Sequence, residues 1–234
     1  MCSKNGLLSQ EVFSIPKDTI TFQVTIILNI GGTISNTVVY YTSNQEKPEF
    51  EAKIIENLKK QAGDIPIISV SQKPIKLGKN ICVGKLPISY KSSFRQLLRG
   101  LKEATSEFCI AAEADTLYPP EYFTFTPPTD NVYRYTNLYV YFQGYDGFWR
   151  KRYVEAAQMC NRKVWIKNLE RVLKSDSVNP PFVFTTKDKY SWTGKNPVLT
   201  FKTRKGIGFK TGFISGSVRK LPYWGSSGKI KEFL

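Results

Sequence analysis

An α/β fold, one domain on a mostly parallel central sheet flanked by helices, is what this 234-residue chain predicts. Three observations lead there. Asn36–Thr42 (NTVVYYT), Pro48–Gln61 (PEFEAKIIENLKKQ) and Ile65–Ser71 (IPIISVS) read as strand, helix and strand, the order of a right-handed parallel crossover. Phe108–Ala112 (FCIAA) is apolar without polar alternation, as expected of a strand covered on both faces. The length and the 41% of hydrophobic residues suit a single substantial core.

Taken in order, residues 1 to about 18 read as a loose lead-in, and Thr19–Ile30 (TITFQVTIILNI) as a strand ending in a Gly31-Gly32 turn. Asn36–Thr42 is the first sheet strand of the main unit. At its carboxyl end, Thr42, Ser43 and Asn44 offer hydroxyl and amide groups to a base or ribose, or simply cap the next helix. That helix carries Phe50, Ile54, Ile55 and Leu58 on one face and stops at Gly63. Gly78-Lys79-Asn80 reads as a loop, with Lys79 either facing a phosphate or serving as an ordinary surface lysine. A second amphipathic helix follows, in which Phe94, Leu97, Leu98, Leu101 and Ala104 recur at helical spacing. Ser92, Arg95 and Gln96 lie near its start, where a helix N-terminus favours anions.

The apolar run 108–112 leads into Glu113-Ala114-Asp115, expected to be exposed where the strand ends. Ligands of open α/β sheets bind beyond the carboxyl ends of strands. Two carboxylates there make a hard-oxygen site for Mg²⁺ or Mn²⁺ completed by a phosphate; the alternative is a solvated acidic turn. Pro119-Pro120 ends the segment. Val132–Phe142 (VYRYTNLYVYF) reads as one or two strands, 143–147 as a turn-rich loop, and about 164–174 as a helix. Phe182–Thr185 and Val198–Phe201 are short strand candidates, and Lys202–Gly212, basic with three glycines, is readable as a phosphate-cradling loop although it matches no P-loop pattern.

Composition excludes whole classes of chemistry. The sequence has no histidine, so His triads, His general bases and His-ligated zinc are ruled out. Cys2, Cys82, Cys109 and Cys160 show no CxxC or zinc spacing, which fits free thiols in a reducing cytoplasm. The opening residues do not read as a signal peptide, and no apolar stretch approaches the roughly 20 residues of a spanning helix. The net charge of +15 is lopsided: residues 1–142 hold 15 Lys and Arg against 13 acids, and residues 143–234 hold 19 against 6. So uneven a split points to a polyanionic partner for the carboxyl-terminal part.

Gly100-Leu101-Lys102-Glu103-Ala104 and Glu113-Ala114-Asp115-Thr116-Leu117-Tyr118-Pro119-Pro120 together resemble the core of GT-A glycosyltransferases, in the compact family-two-like group of bacteria and bacteriophages. Tyr40–Asn44, Ser69–Pro74 and Leu77–Ile81 match further pieces of that pattern, so the resemblance spans about residues 37–125. Weaker echoes lie at Gln158–Arg162 and Pro222–Gly225. It implies a single GT-A (Rossmann-like) domain: residues 1–36 as an extension and strand, 37–125 as the nucleotide-sugar half, 126–234 as the acceptor half. It implies Asp115 as ligand of Mn²⁺ or Mg²⁺, and Tyr41, Thr42, Asn44, Lys79, Ser92, Gln96 and Glu113 on the donor, preferably a UDP-sugar such as UDP-glucose. Arg150, Arg152, Gln158, Arg162 and Trp224 then face the acceptor, Trp224 being equally readable as a core aromatic. Relatives often complete the metal shell with a histidine that this chain lacks.

Glycosyl transfer needs an acidic group to take the acceptor proton in an inverting enzyme. Of the six acids after residue 142, Asp146 and Glu155 lie nearest the acceptor segment, although Glu155 can instead pair with Arg150 or Arg152. Trp149, Trp165, Tyr190, Trp192, Tyr223 and Trp224, interleaved among Lys and Arg, suit a nucleic-acid groove. The leading expectation is therefore a hydroxymethylated pyrimidine of DNA, extruded and stacked on an aromatic. Its rivals are a cell-surface glycan or lipid-linked acceptor, and a non-catalytic basic nucleic-acid-binding module.

Overall fold

Two sheets organise the part of the chain that the computed structural model describes, residues 36–142, 148–150, 156–174, 190–202 and 223–225. In order these form β1 (Asn36–Thr42), α1 (Pro48–Ala62), β2 (Ile67–Ser71), β3 (Lys79–Cys82), α2 (Tyr90–Glu103), β4 (Phe108–Glu113) and β5 (Thr116–Leu117). After a 3-10 turn at Pro120–Tyr122 come β6 (Val132–Tyr135), β7 (Leu138–Phe142), β8 (Phe148–Arg150), β9 (Gln158–Asn161), α3 (Arg162–Leu173), β10 (Ser191–Trp192), β11 (Val198–Lys202) and β12 (Tyr223–Gly225).

Among the described residues the larger sheet runs β10-β6-β9-β4-β1-β2-β3 and the smaller β12-β8-β7-β11-β5. Strands β4, β1, β2 and β3 are parallel, while β9 runs antiparallel to both β4 and β6. The chain moves from β1 outward to β3, then returns across α2 to place β4 on the other side of β1. The order therefore reverses between β1 and β4, and at such a switch point the carboxyl ends of the strands open a crevice.

Burial on both faces explains why the central strands lack alternation. Val38, Tyr40, Ile110 and Ala112 pack on one side with Leu58 and Ala62 of α1; Val39, Tyr41, Cys109 and Ala111 pack on the other with α2 and α3. Helix α1 also reaches the second sheet, where its Ile54 and Phe50 meet Phe148, Leu199 and Phe201. Burying one such aliphatic or aromatic side chain contributes about 1.5–3 kcal/mol.

Local signals set the helix ends. Pro48 opens α1, Glu49 and Glu51 sit in its first turn and Lys59 and Lys60 in its last, matching the helix dipole. Ser89 caps α2 by accepting from the Ser92 N–H. Gly100 lets α2 approach the sheet closely: a Cβ there would fall 2.4 Å from Val39 Cγ1.

Two expectations change. Lys79-Asn80 is the start of β3 and not a loop, because the Asn80 amide reaches Ser69 and Ser71 and ties this segment to β2. Gly78 makes the preceding bend at φ +53, with a would-be Cβ 2.0 Å from the Ile67 carbonyl oxygen. Val132–Phe142 forms two strands, as one of its two readings had it, and they belong to different sheets. The acidic tripeptide is largely covered, since Glu113 is still within β4, Ala114 is buried and the chain turns straight into β5. Thr19–Ile30 and Phe182–Thr185 lie outside the described residues.

Cys109 and Cys160 face each other in register across β4 and β9, both unbridged and buried, whereas Cys82 is exposed. Burial pushes the Cys109 thiol up to about 11 and raises that of Cys160 further. Among the described residues no helix is long and apolar enough to cross a membrane.

Candidate active site

The carboxyl ends of β1 and β4 bring the acidic motif together with groups from distant parts of the chain. Tyr41 pairs in register with Glu113, and its hydroxyl donates to Glu113 Oε1 at 2.5 Å. The Glu113 N–H donates to the Tyr118 hydroxyl at 3.0 Å, and that hydroxyl donates to the Ala156 carbonyl at 2.9 Å. Tyr118 stacks on Tyr122, whose own hydroxyl lies 2.9 Å from the Ala111 carbonyl and 3.0 Å from that of Gln158. Burial is the main reason both phenols are held well above their usual range, so both serve as neutral hydrogen-bonding groups. The Tyr-Pro-Pro-Glu-Tyr segment thus fastens the acidic end of β4 to β9.

Asp115 is held differently. Its Oδ2 accepts from Lys202 Nζ at 3.0 Å and its Oδ1 from the Thr116 hydroxyl at 3.1 Å. Its carbonyl accepts from the Phe201 N–H at 2.7 Å, extending the β11–β5 ladder to the acidic residue. The two charged side chains are only 17% (Lys202) and 16% (Asp115) exposed.

The neighbouring donor candidates hold the crevice in shape. The Thr42 hydroxyl accepts from the Asn44 N–H at 2.9 Å. Asn44 adopts φ 52 and its Oδ1 accepts from the N–H groups of Gln72 and Lys73, joining the ends of β1 and β2. Gln96 Nε2 donates to the carbonyls of Thr42 and Val70, at 2.8 and 3.1 Å. Ser92 is buried against the capping Ser89. The N-terminus of α2 is therefore fixed at the carboxyl edge of the sheet, beside the ends of β1 and β2.

Two candidates fall elsewhere. Lys79 begins β3 at the amino-terminal edge of the sheet and pairs with Glu103 at 2.5 Å. It is one of the residues lining a cleft there, with Asn36, Asp64, Glu103 and Ser106. Arg162 is at the same edge, its Nε donating to the Ser106 carbonyl at 3.0 Å, because β9 runs antiparallel to β4 and delivers α3 to the start of that strand. Neither is placed to meet a diphosphate beside Asp115. Gln158 is buried nearer the carboxyl end, and among the described residues its Oε1 accepts no hydrogen bond. Arg150 is exposed at the end of β8 in the second sheet. Asp146, Arg152 and Glu155 lie outside the described residues, and of Trp224 only the β12 backbone is described.

The donor set at Asp115 does not fit a resident divalent ion as it stands. Both its oxygens are engaged, one by an ammonium, and Glu113 is engaged by Tyr41. Among the described residues no three Cys, Asp or Glu side chains cluster to hold a metal. Lys202 opens the basic, glycine-rich stretch that the sequence singled out, but its pairing with Asp115 was not legible there.

No protein-family model matches the sequence, and no curated protein does. Solved structures with a similar chain course include S. aureus TarS 1–349 in complex with UDP-GlcNAc, at 11% identity over 77% of this chain and 62% of that one, with a TM-score of 0.49. A mannosyltransferase from Pyrobaculum calidifontis in complex with GDP-Man and Mn²⁺ is similar at 12% identity over 74% of this chain and 58% of that one, TM-score 0.42. The bifunctional IspDF from Campylobacter jejuni is similar at 10% identity, 69% and 50% coverage and TM-score 0.38. The chain thus spans less than two thirds of the length of each, and the likeness is one of chain course.

Proposed function

We propose that this protein is a glycosyltransferase that moves a sugar from a nucleoside diphosphate sugar, preferably a UDP-sugar, to a hydroxyl acceptor. The observation that carries the reading is the placement of Glu113 and Asp115 at the strand-order reversal, at the same sheet edge as the Thr42–Asn44 turn and the N-terminus of α2. A nucleotide bound there meets turn groups for its base and ribose, and an oriented helix end for its phosphates. In the transfer step the acceptor oxygen forms a bond to the anomeric carbon as the bond to the diphosphate breaks. The bonding pair leaves on the diphosphate oxygen, and the acceptor proton passes to a carboxylate, Asp146 in this reading, with Glu155 as the other candidate.

For the acceptor, a hydroxymethylated pyrimidine in DNA is favoured by charge: 19 of the 34 Lys and Arg follow residue 142, against 6 acids. The test is transfer of labelled sugar from a panel of nucleotide sugars to DNA containing hydroxymethylcytosine or hydroxymethyluracil. Labelling of either, but not of plain DNA, is expected. Labelling of a glycan or lipid acceptor instead overturns the DNA assignment. DNA binding with no turnover of any nucleotide sugar overturns the enzyme reading in favour of a binding module.

A further inference from the structure

Lys202 stands beside Asp115 at the edge that bears the acidic motif. The β11–β5 ladder pairs Leu199 with Leu117 and Thr200 with Thr116, and the Phe201 N–H then reaches the Asp115 carbonyl. Backbone pairing therefore delivers Lys202 and Asp115 to one corner, where the ammonium donates to Oδ2 at 3.0 Å. We propose that Lys202 is the resident cation of the donor site, and that it, in place of a divalent metal, donates to a diphosphate oxygen of the bound nucleotide sugar and offsets part of the negative charge there.

The proposal rests on the glycosyl-transfer reading and on three physical points. A divalent ion binds a carboxylate oxygen at about 2.1 Å, which would set it against the ammonium already hydrogen-bonded to the same group. To bind, the ion must first displace Lys202 from a site where both partners are mostly covered and solvent screens them weakly. The sequence holds no histidine, so no imidazole can add to the oxygen ligands of such an ion. An ammonium carries three N–H donors, so contact with Asp115 and contact with a diphosphate oxygen are compatible. As the anomeric bond breaks and its electron pair moves onto the diphosphate, the ammonium's hydrogen bond to that oxygen strengthens. Lys202 keeps its proton throughout. Asp115 acts as a positioning residue that holds the ammonium in place.

Calorimetric titration of UDP and of GDP into the full chain, in excess chelator and again in excess Mn²⁺, tests this directly. The expected result is the same affinity in both media for whichever nucleotide binds. Lys202→Met, which keeps length and removes charge, should weaken binding in chelator by about 10- to 100-fold, the span for losing a hydrogen bond to a charged group. Thermal melting establishes that the variant is folded; if it is not, the wild-type comparison decides alone. Nucleotide binding by the wild-type chain that demands Mn²⁺, or unchanged binding by folded Lys202→Met, overturns the proposal while leaving glycosyl transfer intact. Absence of nucleotide binding in both media overturns the transfer reading, and the proposal with it.

Discussion

The two edges of the parallel strands each carry a lysine–carboxylate pair, and the pairs differ in kind. At the carboxyl edge, Lys202 and Asp115 are 17% and 16% exposed and fixed by backbone pairing on both sides. At the amino edge, Lys79 and Glu103 are 66% and 26% exposed, with Arg99 a looser second partner of Glu103 at 3.8 Å. Exposed pairs are screened and contribute little, whereas a covered pair costs a great deal to break from one side. The same two residue types therefore give a surface contact at one edge and a covered pair fixed by strand pairing at the other. What separates them is where the sheet puts them.

The sharpest way to break this contrast is Asp115→Asn, which keeps shape and removes charge. Transfer should fall by about 10- to 100-fold, the scale for losing a partner that orients a site group, while Glu103→Gln leaves the rate unchanged. Steady-state kinetics on both variants decides it; equal effects would erase the distinction between the edges. Next comes Gly78→Ala at the amino edge, where a side chain would overlap the Ile67 carbonyl in a left-handed backbone. A loss of about 3 kcal/mol in stability is expected, measured by denaturant unfolding, with the folded fraction retaining its nucleotide affinity.

Lys202→Met probes the energetics of the covered pair apart from its chemistry. It leaves Asp115 without its cation and should destabilise the fold by about 2 kcal/mol, below the full penalty for a buried pair because some solvent reaches the carboxylate. The smallest effect belongs to Lys79→Met, which should leave the melting temperature unchanged. Its hydrogen bond and then its charge are what hold the Glu103 carboxyl below its ordinary range. A lowered carboxylate stabilises the fold above its unfolded pKa, and that contribution disappears as pH falls through the lowered value. In Lys79→Met, side-chain carboxyl NMR should show Glu103 titrating at higher pH, nearer its ordinary range.

How much of this was legible follows from the range of each signal. Val38–Tyr41 and Phe108–Ala112 announce themselves because strands buried on both faces need unbroken apolar runs, and α1 and α2 because one-sided burial imposes helical spacing. Asp115 was legible as the acid after such a strand. β3 was not: KNIC is short and partly exposed, and its tie to β2 runs through Asn80, Ser69 and Ser71, which local patterning does not report. Missing β3 put Lys79 in a loop free to reach the diphosphate, when it opens a strand at the far edge. Arg162 was misplaced for a related reason, since the direction of β9 is a matter of topology. Lys202 meets Asp115 across 87 positions of sequence, a distance that only the pairing of β11 with β5 closes.

The opposed thiols on β4 and β9 have a practical corollary. Cys109 and Cys160 are sealed inside the core with their ionisation suppressed, while Cys82 is exposed at the carboxyl end of β3, on the edge that bears Glu113 and Asp115. Once Cys2 is changed to serine, a maleimide fluorophore should attach to Cys82 alone in the native protein. The chain would then carry its own optical reporter at the rim of the crevice, ready to register ligand arrival without further engineering of the interior.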